Sequence, residues 1–170
     1  EDDQSHELLC LAKTNQGHKN LMRIISLAHN NYNFQTPIID FASLTQLKDD
    51  IVVISGGKDS HIFNLLKRNK TEDAEKRIDQ FLKAFDDDFV LEVQRTNRLD
   101  ENEYFANLLP LSSKKGIPLI ATNDVLFSKE EDFDIHETKV CINTGKTLND
   151  PNREKLFSKE QYFKSSAEME

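Results

Sequence analysis

The sequence lacks the features that would identify a secreted, membrane-spanning or disulfide-linked protein. No apolar run in its 170 residues approaches the roughly 20 residues that a membrane-spanning helix needs. Its two cysteines, Cys10 and Cys141, form no CxxC pair and no disulfide framework, which favours two core thiols in a reducing cytoplasm. The first residues show neither an initiating Met nor a secretory signal. We therefore expect an internal piece of a cytoplasmic protein that has no membrane partner.

Motifs for metal and phosphate binding are also missing. The five histidines form no HxH, HxxxH or HxxE pair with the spacing of metal ligands. The segment 55–58, SGGK, has a Gly-rich start but lacks the upstream Gly and the Lys-Ser/Thr ending of a phosphate loop. The formal net charge is -8, so the average field repels a phosphate backbone. Direct DNA binding by this segment is disfavoured.

What is present is an alternation of short apolar runs with amphipathic stretches. The apolar runs predict strands over residues 8–13, 51–55, 89–94 and 117–122. Helical spacing and capping signals predict helices that begin near Asn15, Ser43, Thr71 and Asp100.

This alternation predicts an α/β fold built on a parallel sheet or barrel. The unbroken apolar character of residues 117–122 predicts a strand that is covered on both faces. Four strands are visible, whereas an eight-fold α/β barrel needs about 250 residues. The pattern therefore fits either an open sheet or part of a barrel.

In parallel α/β folds the chemistry lies at the C-terminal ends of strands, here residues 55–57, 94–96 and 122–124. Asp124 is the strongest single candidate, because a carboxylate at a strand end can ligate a metal or act as a base. A carboxylate that caps a loop or the next helix is an equally weighted alternative.

Two further polar residues have structural interpretations. Glu92 lies inside an apolar strand, where its charge must be paired or must face a polar barrel mouth. A salt bridge with Arg95 or a lysine is the favoured interpretation. His136, like the other isolated histidines, is assigned a structural role, in the loop that follows Asp124.

Six runs along the chain, in this order, resemble the PHP domain of the DNA polymerase III alpha subunit. They are HELLCLAKTNQGHKNLMRIISLAH, IVVISGG, VLEVQRTNRLDENEY, GIPLIATNDVLF, DFDIHETKVCINTGKTLNDP and FSKEQYFKSSAEM. The resemblance implies part of a PHP-type (β/α)7 barrel, similar to a TIM barrel. Residues 1–150 would form the C-terminal part of that barrel, and residues 151–170 would start the connection toward the polymerase palm.

Intact members of this family hold a trinuclear metal cluster, and the resemblance implies that ligands have been lost here. Gly57 stands where an intact member has a Cys, and Thr96 and Leu126 stand where it has histidines. Asp124 matches a surviving ligand position, and His29 matches another. Each cation needs four or more ligands, so the resemblance implies a vestigial site with no metal and no catalytic residue.

The function that the resemblance implies is that of a fragment of a replicative DNA-directed DNA polymerase, a nucleotidyltransferase. Within it, this region would be a non-catalytic scaffold that supports the polymerase and binds the proofreading exonuclease subunit. Other subunits of the polymerase III holoenzyme would be further partners, and DNA would bind other domains. Mg²⁺ is expected in the polymerase domain outside this chain, with no cofactor inside it.

Two alternatives remain at this point. The first is an active metal-dependent phosphoesterase or 3'-5' exonuclease of the PHP family. The second is an independent protein that shares only a barrel fragment. On the leading interpretation, residues 1–170 expressed alone are inactive and are expected to aggregate, to oligomerise or to be less stable than the complete domain, because a cut barrel exposes a sheet edge.

Overall fold

The computed structural model describes residues 5–31 and 37–169, which form a mixed α/β fold with a four-stranded sheet. The strands follow the order β1-β2-β3-β4 in the sheet. They are β1 Leu9–Ala12, β2 Ile51–Ile54, β3 Phe89–Gln94 and β4 Leu119–Thr122. The helices are α1 Asn15–Asn31, α2 Phe41–Gln46, α3 His61–Lys67, α4 Thr71–Phe85, α5 Glu101–Lys115, α6 Phe133–Thr144 and α7 Ser166–Met169. All four predicted strands and the helix starts near Asn15, Thr71 and Asp100 are confirmed, and the described residues form a four-stranded sheet that is not a complete barrel.

The sheet is mixed, so the expectation of a wholly parallel sheet is wrong at β1. Strand β1 runs antiparallel to β2, with Leu9 opposite Ile54, whereas β2 runs parallel to β3, with Val53 opposite Phe89. An apolar run predicts a strand but carries no information about its direction. Direction is set by the connection, and here both α1 and α2 lie between β1 and β2.

Two local expectations were also wrong. Helix α2 begins at Phe41 rather than near Ser43, because Asp40 is its N-cap and accepts a hydrogen bond from the Ser43 backbone N–H at 2.8 Å. Ser43 is therefore the third residue of this helix and not its N-cap.

Strand β4 is not covered on both faces by the described residues, since Ile120 is 38% exposed.

The chain divides into two compact units. The first comprises Glu1–Glu92 and Asn107–Leu119. The second comprises Val93–Ala106 and Ile120–Glu170. In the first unit, Phe81 and Phe89 stack with their ring centroids 4.9 Å apart, and Ile78 and Leu91 are fully buried. No described helix combines the length and the apolar character needed to cross a membrane.

The start of α1 packs tightly against the turn that precedes β2 in the first unit. A Cβ atom on Gly17 would lie 2.1 Å from the backbone oxygen of Asp50, a distance at which only glycine fits. The Lys13 N–H donates to the same oxygen at 2.8 Å, and the Asn20 side-chain amide donates to the Asp49 carbonyl at 3.0 Å. The turn therefore offers its backbone oxygens to α1 and to Lys13, the residue that directly follows β1.

The two cysteines are free thiols in different environments. Cys10 lies half-buried in β1, and Cys141 is buried in α6. Burial raises the pKa of the Cys10 thiol to about 11. The expectation of a core thiol is confirmed at Cys141, whereas Cys10 is only half-buried.

Candidate functional site

A buried polar network lies in the second unit, just after β3. Thr96 is fully buried, and Glu101, in the first turn of α5, is 8% exposed. The Glu101 carboxylate accepts hydrogen bonds from the Thr96 hydroxyl, from the Thr96 N–H at 2.8 Å and from the Arg98 N–H at 3.4 Å. These donors satisfy a carboxylate that would otherwise be costly to bury.

The Arg98 guanidinium joins this network to the end of β4. Its Nη1 atom lies 3.0 Å from Asp124 Oδ2, and its Nε atom lies 3.4 Å from Glu101 Oε1. The same Nε donates to the Thr96 hydroxyl at 2.8 Å, and Nη2 donates to the Gln94 amide oxygen at 3.3 Å. The Arg98 side chain is only 9% exposed, whereas that of Asp124 is 38% exposed. One cation thus contacts two carboxylates and two neutral acceptors.

A distant segment, residues 158–162, completes the network. The buried Gln161 side-chain amide donates to Asp124 Oδ2 at 2.9 Å, and the Ser158 hydroxyl donates to the Thr96 backbone oxygen. The Asn123 side-chain amide donates to the backbone oxygens of Glu160 and Tyr162 at 2.9 and 2.7 Å. The loops after β3 and β4 are therefore both bound to this segment.

Beyond that segment, Glu168 closes the first turn of α7. The Ser165 hydroxyl and the Tyr162 hydroxyl, both at 2.6 Å, donate to its carboxylate, as does the Ser165 N–H at 2.8 Å. These donors lower the pKa of Glu168 to about 2. Donation to the same carboxylate raises the pKa of Tyr162 to about 12.

Three of the predicted site residues, Thr96, Asp124 and Leu126, lie in the second unit. Thr96 and Asp124 belong to one network through Arg98, whereas Leu126 is 40% exposed and its N–H donates to the Gln161 backbone oxygen at 2.8 Å. The structure therefore unites two of these three residues through an arginine.

The other two predicted positions lie in the first unit. Gly57 is in the loop after β2, where its backbone oxygen accepts from the Ser60 N–H at 3.1 Å. His29 is exposed in the last turn of α1. Across residues 5–31 and 37–169, no three His, Cys, Asp or Glu side chains are arranged to hold a metal ion.

The loop position expected for His136 is wrong, whereas Glu92 does lie inside a strand, β3. His136 lies in α6 rather than in a loop, and its ring contacts Phe157 edge-on with the centroids 4.8 Å apart. Glu92 is 3% exposed, and its N–H donates to the Ser55 hydroxyl at 2.9 Å. Arg95 places its guanidinium over the ring of Phe105, 5.5 Å from the centroid.

Sequence reasoning missed Arg98, Glu101, Ser158 and Gln161. Arg98 and Glu101 carry opposite charges only three residues apart, which was a usable signal, although Arg98 lies in the loop before α5 and not in the helix. Nothing in the sequence links Gln161 to Asp124, since the two are 37 residues apart and meet only in the folded chain.

Comparisons with known proteins agree on one family. The PHP domain family matches residues 1–96, more than half of the chain. The chain is 38% identical over 167 residues to DNA polymerase III subunit alpha of Pasteurella multocida, and 39% identical over 168 residues to that of Vibrio cholerae. The corresponding protein of Escherichia coli (strain K12) is 36% identical over 168 residues.

These alignments cover 98% of this chain but only 14% of each relative. The similarity thus extends well beyond the residues that the family match covers, and it includes Asp124 and the segment that binds it. The chain belongs to the PHP domain family and is similar over nearly its whole length to part of the DNA polymerase III alpha subunits.

Proposed function

We propose that this chain is part of a replicative DNA polymerase III alpha subunit and serves there as a non-catalytic scaffold. In this role residues 1–150 belong to the PHP domain, and residues 151–170 begin the connection toward the polymerase palm. Nucleotide addition, its Mg²⁺ ions and DNA binding belong to other parts of the parent protein. The scaffold supports the polymerase and binds the proofreading exonuclease subunit within the holoenzyme.

The ion pair between Arg98 and Asp124 is the observation that carries this proposal. The Arg98 Nη1 atom lies 3.0 Å from Asp124 Oδ2, so a divalent cation bound to this carboxylate would lie beside the guanidinium, and the two positive charges would repel each other. Arg98 already provides the positive charge that a metal would provide. Because it also binds Thr96 and Glu101, moving it aside would leave buried acceptors unsatisfied.

The residues at the other expected ligand positions do not fit a metal cluster either. Gly57 has no side chain, Leu126 has an alkyl group, and the Thr96 hydroxyl donates to Glu101. Asp124 and His29 are the remaining ligand types. At the ligand positions that lie in this chain, these two donors fall short of the four or more that each cation needs, so we derive no metal-dependent step.

The alternative is an active metal-dependent phosphoesterase or 3'-5' exonuclease, as in intact PHP sites. The full-length protein that contains this chain should be dialysed against Zn²⁺ or Mn²⁺, freed of loose metal and assayed for bound metal. Hydrolysis of p-nitrophenyl phosphate and of an end-labelled DNA strand should be measured on the same samples. We expect primer extension with no phosphoesterase activity. Two or three retained equivalents of metal, together with hydrolysis that Asp124→Asn abolishes, would establish the alternative.

The partner role needs a separate measurement. Size-exclusion chromatography of the full-length protein with the separately purified exonuclease subunit should show a complex. A truncated protein that lacks residues 1–170 should not form it, provided that it still extends primers. Retention of the complex by an active truncated protein would place the exonuclease on another domain.

A further inference from the structure

Helix α1 carries a groove on its outer side in the first unit. The groove has a volume of about 580 Å³. Its lining residues on α1 are Lys19, Met22, Arg23, Ser26, Leu27 and Asn30. Leu47, the C-cap residue of α2, forms part of the opposite wall. The α1 residues fall into two adjacent i,i+4 rows, which is the surface that receives a ridge of side chains from another helix.

The groove combines exposed apolar side chains with unpaired positive charge. Met22 is 56% exposed and Leu27 is 37% exposed. Lys19 and Arg23 are exposed, and neither forms an ion pair with any residue in the described part of the chain. By contrast, Lys13 pairs with a carboxylate at 2.7 Å.

The charge of the groove differs from that of the whole chain. The groove is lined by two cations and no acid, and α1 contains no Asp or Glu at all, although the formal net charge of the chain is -8. Because the screening length is about 8 Å, the cations that line the groove act on an approaching group more strongly than distant acids do. An extended polyanion such as a membrane surface or a nucleic acid also meets the surrounding negative charge, whereas a short segment with a few carboxylates does not.

We propose that this groove binds an amphipathic helix of a partner protein, one whose apolar side chains are flanked by Asp or Glu. Apolar residues of that helix would contact Met22, Leu27 and Leu47, and its carboxylates would pair with Lys19 and Arg23. This is the recognition mode in which a helix lays its apolar face into a groove. The inference rests on the proposed scaffold role and specifies which face of the scaffold receives a partner.

The first test uses a probe of defined chemistry. A fluorescent 16-residue helical peptide with leucines at i, i+3, i+4 and i+7 flanked by glutamates should bind the full-length protein. A second peptide with lysines in place of the glutamates should bind at least tenfold more weakly. The double variant Lys19→Glu/Arg23→Glu should reverse this preference, because it reverses the charge of the groove. Equal affinity for both peptides, or no binding of either, would overturn the proposal.

Matched variants distinguish peptide binding in the groove from peptide binding elsewhere on α1. Met22 and Ile25 are 56% and 57% exposed on the same helix, but only Met22 lines the groove. Met22→Asp should weaken binding of the glutamate peptide at least tenfold, whereas Ile25→Asp should not change it. Lys83→Glu, an exposed reversal on α4, is the charge control. If both aspartate variants weaken binding alike, the groove is not the site.

A second experiment uses the exonuclease subunit and distinguishes a failure of this inference from a failure of the proposed function. Loss of the complex with Lys19→Glu/Arg23→Glu but not with Lys83→Glu identifies this groove as the docking face. A complex that all variants retain overturns the inference and leaves the scaffold role intact. A wild-type protein that binds the peptide but not the subunit supports the groove and contradicts the proposed partner. Binding of phosphatidylglycerol vesicles, single-stranded DNA or a second copy through the same residues, in place of the peptide, would also overturn it.

Discussion

Arg98 and Asp124 form an ion pair, with 3.0 Å between Nη1 and Oδ2, that joins the loop after β3 to the end of β4 within the second unit. The arginine is largely buried, and its remaining donors contact Thr96, Glu101 and Gln94. A guanidinium is suited to this position because its planar donors reach several acceptors at once. The contribution of this ion pair to the free energy of unfolding can be measured.

Replacing Arg98 should lower the stability of the protein. In Arg98→Met the buried Glu101 carboxylate loses its cation, and we expect the free energy of unfolding to fall by about 3 kcal/mol. Urea unfolding of the full-length protein, followed by a probe in this domain, measures the loss. The control is Lys76→Met, because Lys76 and its partner Asp73 are 72% and 51% exposed. That change should stay within about 0.5 kcal/mol. Similar losses for both variants would mean that the Arg98 pair contributes no more than a surface pair.

Asp124 should matter for stability and not for polymerisation. Asp124→Asn keeps the shape of the side chain but weakens its bonds with Arg98 and Gln161, so we expect a loss of about 1 kcal/mol and a lower melting temperature. Primer extension by the full-length protein should be nearly unchanged. Asp134→Asn, in the exposed first turn of α6, is the control. A large fall in nucleotide incorporation without loss of stability would contradict the scaffold role.

Gly17 should not tolerate a side chain. Alanine is the better helix former, yet its Cβ would overlap the Asp50 backbone oxygen, and backbone cannot rotate away as a side chain can. We expect Gly17→Ala to destabilise the protein by about 1–3 kcal/mol. Ser26→Ala, at an exposed position of the same helix, should change stability by less than about 0.5 kcal/mol. Thermal unfolding of both variants tests the contact, and equal melting temperatures would disprove it.

The turn that begins α7 should titrate at low pH. The pKa of Glu168 is about 2 because Ser165 and Tyr162 donate to its carboxylate. The stabilisation is therefore fully present above the ordinary carboxyl pKa of about 4.3 and is lost as the pH falls toward 2. Ser165→Ala should raise the pKa of Glu168 more than Tyr162→Phe does, since the Ser165 hydroxyl has the largest effect. NMR titration of the Glu168 side chain measures both, and the reverse order would show that Tyr162 is the stronger donor.

The Cys10 thiol should react slowly. With its pKa raised to about 11, almost none of it is thiolate at pH 8, and the thiolate is the reactive form. Iodoacetamide at pH 8 should label Cys10 at least tenfold more slowly in the native protein than after denaturation in urea. Peptide mass spectrometry follows the label. Rapid native labelling would show that β1 opens readily or that Cys10 is more exposed than the structure indicates.

Local sequence signals located most of the secondary structure. The apolar run at residues 89–94 coincides with β3, and the predicted helix start at Thr71 coincides with α4. Such runs report burial and periodicity, which are properties of neighbouring residues. The helix start near Ser43 was placed too late because Asp40, three residues earlier, is also a capping residue. Propensity alone does not decide between two adjacent caps.

The candidate site was predictable only in part, for a geometric reason. Asp124 was identified because it follows a strand, which is local information. Its partner Arg98 belongs to a different strand end, and the pairing of strand ends depends on the sheet as a whole. Arg95 was named as a possible partner of Glu92, yet its guanidinium lies over the ring of Phe105, and Arg98, three residues further along the chain, is the largely buried arginine beside Glu101. Sequence spacing does not determine which of two nearby arginines turns inward.

The antiparallel pairing of β1 with β2 has a consequence for the order of folding. Leu9 can meet Ile54 only after the chain between them, with both α1 and α2, has closed into a long loop. Helices α3 and α4 follow each other directly and contact each other without such a closure. Local contacts form faster than distant ones because less chain entropy is lost before they are made. The helical pair should therefore acquire hydrogen-exchange protection during refolding before β1 does.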